Sequence, residues 1–173
     1  MPIASSRGSW KMIVAVLGDT HLPRGRRTLP PECVDRLRAA ELILHTGDHS
    51  SLAAYEALCA LGPPVRAVHG NADAPDLRAR LPAFLVVDDA DGLRLGMTHD
   101  GGPRQGREER LRGRFPGCAA VLYGHSHVPQ VELHQGVWML NPGSPTERRR
   151  SPAHTMLELR IENGELTPRL ISL

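Results

Sequence analysis

Five segments of this chain each follow a short apolar run and each end on side chains that bind divalent metal ions. They are Asp19-Thr20-His21, Gly47-Asp48, Gly70-Asn71, Thr98-His99 and Gly124-His125-Ser126-His127. The runs before them are Ile13–Leu17, Leu42–Leu44, Val65–Val68, Leu93–Met97 and Ala119–Tyr123. Apolar runs of this length read as buried strands. In sheets covered by helices, ligands gather beyond the carboxyl ends of strands, where several tips converge. Carboxylate, amide and imidazole groups collected at such tips describe a site, and the chemistry they suggest is hydrolysis at a metal pair.

The segments differ in specificity. Asp19 and His21 point the same way if their backbone is extended, so that a carboxylate and an imidazole grip one ion. Gly47-Asp48 and Gly70-Asn71-Ala72-Asp73 are each ordinary turn sequences when read alone, and His99 alone reads as a loop histidine. Gly124–His127 is sharper: two histidines two apart, after a buried strand and a glycine that permits close approach, are costly to explain as packing. A pair of solvated surface histidines is the competing reading. All the ordinary readings would have to hold together at matching strand tips, and the joint pattern favours the site.

The elements that must position these groups alternate in the first half. Strand 12–17 leads through an Arg- and Pro-rich loop, Leu22 to Pro31, into a helix over 32–40. Strand 42–45, a helix over 52–61 capped by Ser50 or Ser51, and strand 65–69 follow. That β-α-β-α-β order implies parallel strands with crossover helices. In the second half, 84–88 and 93–97 flank an acidic turn at Asp89–Gly92 and read as paired strands. A polar helix over 105–115, strand 119–123, and strands 128–134 and 137–140 come next. Strands 155–161 and 165–171 flank Asn163-Gly164, a strong hairpin signal. The expected fold is α/β: a four-layer α-β-β-α sandwich, two mixed β-sheets face to face with helices outside.

The 173 residues suit one domain, expected over 12–173, after a flexible N-terminal tail at 1–11. A net charge of +2 and only two each of Phe, Trp and Tyr give no footprint for nucleic acid. The arginines at Arg104–Arg114 read as a solvated helix face, and Arg148–Arg150 as a group near the mouth of the site. Cys33, Cys59 and Cys118 are far apart and odd in number, which fits buried thiols in a reducing compartment and not a disulfide or thiolate-zinc framework. No run approaches a membrane span or signal-peptide core, and a cytoplasmic protein is expected. His45, His134 and His154 read as structural.

The ordered set D-x-H, G-D, G-N, loop His and G-H-x-H resembles the calcineurin-like metallophosphoesterase superfamily. Gly70-Asn71-Ala72-Asp73 and Asn141-Pro142-Gly143-Ser144 are similar to its small YfcE-like phosphodiesterase branch, which includes the related eukaryotic retromer subunit. The resemblance covers about residues 12 to 173. It implies one metal between Asp19, His21, Asp48 and His127, and a second between Asp48, Asn71, His99 and His125, with Asp48 bridging. It implies a dinuclear phosphoesterase, most expectedly a phosphodiesterase with metal-bound hydroxide as nucleophile, in which Asp48, Asn71 and His99 serve catalysis. Asn71 and Asp73 are the expected substrate contacts. Two divalent ions ~3.5–4 Å apart clamp a phosphoryl group. Imidazole, carboxylate and amide ligands suit Mn²⁺ first, then Fe, Co, Ni or Zn²⁺, over all-oxygen Mg²⁺ or Ca²⁺.

The broader superfamily places a histidine after the asparagine, where this chain has Ala72. A general acid is therefore missing unless His49, His69 or Asp73 replaces it, which favours low-pKa leaving groups. Asp100 also stands where the family commonly has glycine. The rival readings are a non-catalytic protein-binding scaffold of the same fold, and a nuclease. The complete ligand set speaks against the first, and the scarcity of aromatics and basic charge against the second. The expected partner is a small anionic phosphodiester, with no membrane, and a homo-oligomer is possible.

Overall fold

Strand β1 (Lys11–Leu17) turns Val14 and Val16 to one side and Ala15 and Leu17 to the other, and all four are buried. A strand buried on both faces belongs in the middle of a layered structure. The computed structural model describes residues 11–88 and 92–173. After β1 come α1 (Pro31–Ala39), β2 (Leu42–His45), α2 (Leu52–Cys59), β3 (Val65–Ala67) and α3 (Pro75–Arg80). Then follow β4 (Phe84–Asp88), β5 (Arg94–Thr98), α4 (Arg107–Arg114) and β6 (Ala120–Leu122). The chain finishes with β7 (Gln130–His134), β8 (Val137–Asn141), β9 (Thr155–Glu162) and β10 (Glu165–Ser172).

Two five-stranded sheets result, ordered β10-β9-β1-β2-β3 and β4-β5-β6-β8-β7. In the first, β1, β2 and β3 are parallel, with Val14 opposite Leu42 and Ile43 opposite Val65, while β9 runs antiparallel to β1. In the second, β5, β6 and β8 are parallel, and β4 and β7 close the edges antiparallel. Val14, Val16, Leu44, Leu157 and Leu159 meet Leu95, Met97, Leu122 and Leu140 between the sheets. Ala15, Leu17 and Ile43 face Cys33 and Leu37 of α1 and Leu58 of α2. On the far side Val121 and Met139 pack against Leu111 and Phe115 around α4. These three apolar layers are the α-β-β-α sandwich expected from the sequence.

Local chemistry accounts for the ends. Ser51 caps α2 by accepting the Ala54 N–H at 3.1 Å. Asn163 and Gly164 both have positive φ, 54° and 76°, as a tight hairpin turn requires. The helix expected from 105 begins at Arg107, because Gly106 sits in the left-handed region at φ 66°. Helix α3 was not expected; Pro75 in its first turn, Asp76 early and Arg78 and Arg80 late are helix-end signals, but six residues are too few to show a period.

Lys11, placed in the tail by sequence, is the first residue of β1 and pairs with Glu162. The rest of that tail, 1–10, and residues 89–91 of the acidic turn lie outside the described residues. The thiols of Cys33 and Cys118 are buried, but Cys59, expected to be buried, is exposed at the end of α2. Among the described residues no helix is long and apolar enough to cross a membrane.

Candidate metal centre

The loops that follow β1, β2, β3, β5 and β6 meet at one end of the two sheets. The loop after β1 is laced to the loop after β2: the Asp19 N–H donates to Gly47 O and the His21 N–H to Asp48 O, both at 2.9 Å. Gly18 and Gly70 permit this crowding. A Cβ at Gly18 would collide with Thr46 Oγ1, and one at Gly70 with the backbone and carboxylate of Asp48.

The backbone of Asp19-Thr20-His21 is not extended. Asp19, His21, Asp48, His125 and His127 all have positive φ, at 52°, 45°, 60°, 71° and 60°. Asp and His tolerate this region better than most side chains, yet so many together mark a strained surface held by its surroundings. The tight turns, and not a shared strand face, bring the ligands inward.

Two groups form. In the first, His21 Nε2 lies 3.2 Å from His127 Nε2, and His127 Nε2 lies 3.6 Å from Asp19 Oδ1. In the second, the Asn71 amide oxygen lies 3.1 Å from His99 Nε2 and 3.0 Å from His125 Nδ1. Asp48 stands between them, its Oδ2 3.6 Å from His21 Nε2 and 3.3 Å from His99 Nε2. Every residue expected as a ligand is thus in one cluster; Asn71 and His125 are exposed and the other five are buried.

The protonation pattern fits a cation. His99 Nδ1 is 2.8 Å from Thr46 O, so this nitrogen carries the hydrogen. The Nε2 lone pair of neutral His99 then faces two acceptors, Asn71 Oδ1 and Asp48 Oδ2. His127 repeats the arrangement, with Nδ1 2.5 Å from Glu147 O and Nε2 turned to Asp19 and His21. Ring orientation by a carbonyl at the far nitrogen is the usual support of a metal-binding histidine. Both oxygens of Asp19 are buried with no hydrogen-bond partner among the described residues. Bare lone pairs facing one another need positive charge between them.

The electrostatics of the metal-free cluster divide its members. Burial pushes the Asp19 carboxyl up to about 7. Burial also acts to raise Asp48, but the His99 hydrogen bond and charge, the Ala72 N–H and His21 outweigh it and hold Asp48 at about 2. Burial lowers His21 and His127, keeping them in the neutral form that ligates. It works in the same direction on His99, yet Asp48 and Asp19 prevail and raise that group.

Beside the second group opens a cleft of ≈ 740 Å³, lined by Asn71, His99 and His125 together with His69, Phe84 and Arg78. Asp73, expected as a substrate contact, has both oxygens committed to backbone: Oδ2 accepts from Gly70 N–H at 2.7 Å and Asp48 N–H at 3.1 Å, and Oδ1 from Ser50 N–H at 2.7 Å. Asp100 accepts the Gly102 N–H at 2.7 Å and so shapes its own loop. Of the groups considered as a replacement acid, His69 lines the cleft and His49 is buried away from it.

Several supporting residues escaped the sequence reading. The Ser144 hydroxyl donates to Asp19 O at 2.8 Å and that of Thr146 to Thr20 O at 2.7 Å, so the loop after β8 braces the first. His45, read as structural from the sequence, is so: it accepts the Gly47 N–H at Nδ1, leaving Nε2 to donate to Thr20 Oγ1 at 3.1 Å. Asn141-Pro142-Gly143-Ser144 was a visible signal for this brace, but its contact with Asp19 spans 125 positions.

Residues 12–164 match the calcineurin-like phosphoesterase superfamily domain. The chain belongs to this superfamily. It is 32% identical over 162 residues to a probable metallophosphoesterase of Methanothermobacter thermautotrophicus, covering 92% of each chain. A Thermotoga maritima protein solved in solution superposes with a TM-score of 0.74 at 28% identity, over 94% of this chain and 99% of that one. An archaeal phosphodiesterase superposes at 0.71 with 22% identity, over 92% of this chain and 100% of the other. The chain is thus a metallophosphoesterase by family, with a two-group ligand cluster at the sheet ends.

Proposed function

We propose that the protein is a phosphodiesterase that hydrolyses a small anionic diester with two divalent metal ions, Mn²⁺ foremost. The observation that carries this reading is the position of Asp48, whose Oδ2 is within 3.6 Å of a histidine from each group. Asp19, His21, His127 and Asp48 would hold one ion, and Asp48, Asn71, His99 and His125 the other. Such a pair supplies charge to the non-bridging phosphoryl oxygens and makes water nucleophilic near neutral pH.

The chain's own residues do the rest. Thr46 and Glu147 carbonyls fix the tautomers of His99 and His127, keeping Nε2 free to ligate. The Asn71 side chain is exposed at the floor of the cleft, where a bound ester would lie against it. Arg149 lies near enough for its charge to lower the Asp19 pKa, and the same field attracts an anionic substrate. With alanine at position 72, His69 is the one considered replacement that lines the cleft, and it would serve a poor leaving group as proton donor. The archaeal phosphodiesterase neighbour supports the diester reading.

The test is turnover by metal-stripped protein, with each divalent ion restored in turn, on bis(p-nitrophenyl) phosphate and on p-nitrophenyl phosphate. Diester turnover restored best by Mn²⁺ and exceeding that of the monoester is expected. Monoester preference, or equal rates with and without metal, would refute it.

A further inference from the structure

Behind Asp19-Thr20-His21, on the face away from the cleft, lies a second cavity of ≈ 430 Å³ between α1, α2 and the loop after β1. Its walls are aliphatic, with Leu17, Leu22, Leu29, Val34, Leu58 and Leu61 among them. Small-molecule sites have this size and character, with a few placed polar groups that fix orientation. Here one such group stands out. His49 lines the cavity and is only 1% exposed, and its Nε2 is buried without a hydrogen-bond partner among the described residues.

Nε2 is a buried nitrogen with no partner among the described residues, and a hydroxyl can pair with it in either tautomer. The ring is held in place by stacking on His45 at 3.6 Å and by the edge of Tyr55 at 5.4 Å. The nearby polar groups, Thr20 and His45, are bonded to each other. Of the other polar lining residues, Arg27 is paired with Glu147 and Thr28 is exposed, so among the described residues His49 Nε2 is the buried polar atom left open.

We infer that this cavity is a second binding site, for a neutral organic molecule with an apolar body and one hydroxyl that pairs with His49 Nε2. The loop that covers it is tied down at its rim, since Arg24 and Arg27 pair with Glu147 at 3.1 and 2.9 Å. The site is independent of the phosphodiesterase reading, and its test needs no turnover.

The probes are 4-tert-butylphenol and its methyl ether, 4-tert-butylanisole, which share a body and differ in the donor. Each is titrated into the protein loaded with diamagnetic Zn²⁺, by calorimetry and by amide NMR. The phenol is expected to bind at least tenfold more tightly than the ether and to shift the amides of Thr20, His49 and Ala54. His49→Leu should erase the preference. Ala57→Trp, at the cavity wall, should block both probes. Equal affinity of the two probes overturns the inference, as does shift of amides elsewhere with those three unmoved, or undiminished phenol binding to Ala57→Trp.

Discussion

The Nε2 atoms of His21 and His127 face each other at 3.2 Å, although the residues are 106 positions apart. His127 already uses its other nitrogen on Glu147 O, so two neutral rings here set lone pair or hydrogen against Asp19, whose oxygens have no hydrogen-bond partner among the described residues. A cation resolves this arrangement, and the protein should be measurably more stable with one. At a free-ion concentration about 100 times Kd, one site adds ~2.7 kcal/mol. A chain of this size gains roughly 2–4 °C per kcal/mol. Mn²⁺ added to stripped protein should raise Tm by at least ~5 °C, reversed by chelator, as calorimetry would show.

Asp19 gives the metal-free protein a pH dependence of definite sign. The unfolded carboxyl titrates near 3.8 and the folded one at about 7. Below 3.8 both states hold the proton. Between these values only the folded state holds it, so stability from this group falls as pH rises and has fallen fully above about 7. Asp48 acts oppositely in a different window, its contribution lost as pH falls from 3.8 toward about 2. Asp19→Asn should therefore stabilise the metal-free protein at pH 8 relative to wild type, with a smaller effect at pH 5, in urea titrations. The same variant should weaken metal binding.

Asp73 should prove a structural carboxylate. It accepts from three backbone N–H groups on the two loops that carry Asp48 and Asn71. Removing a charged acceptor from buried donors costs ~1–3 kcal/mol per donor left unpaired. Asp73→Ala is expected to lose about 3 kcal/mol or more of unfolding free energy and to weaken metal binding. In a metal-saturated enzyme KM should change less than twofold; a large KM increase at intact stability would instead indicate substrate contact.

His69 should matter according to the leaving group. General acid help is typically worth about 10²–10⁴ in rate. His69→Ala should slow an alkyl or phenyl ester at least tenfold while leaving the p-nitrophenyl diester within about threefold. A uniform loss across leaving groups would remove His69 from that role.

Much of the fold was legible because burial writes itself into sequence. Leu42–His45 and Phe84–Asp88 are bounded as the apolar runs suggested, and Asn163-Gly164 is the turn it reads as. The site's membership was legible because every ligand type follows an apolar run. Its local geometry was not. Asp19 and His21 converge through positive-φ turns, and side-chain type does not prescribe them; the close approaches at Gly18 and Gly70 depend on partners far along the chain. Helix α3 is too short to show a period, and the backbone role of Asp73 was not legible because its amide partners come from two separate loops.

The bridging carboxylate is tested most directly by anomalous diffraction from Mn²⁺-loaded crystals of wild type and Asp48→Asn. Wild type should show two peaks, one among Asp19, His21 and His127 and one among Asn71, His99 and His125, both touching Asp48. The variant should lose occupancy at both. A single peak in wild type, or two peaks that Asp48→Asn leaves at full occupancy, would contradict the account.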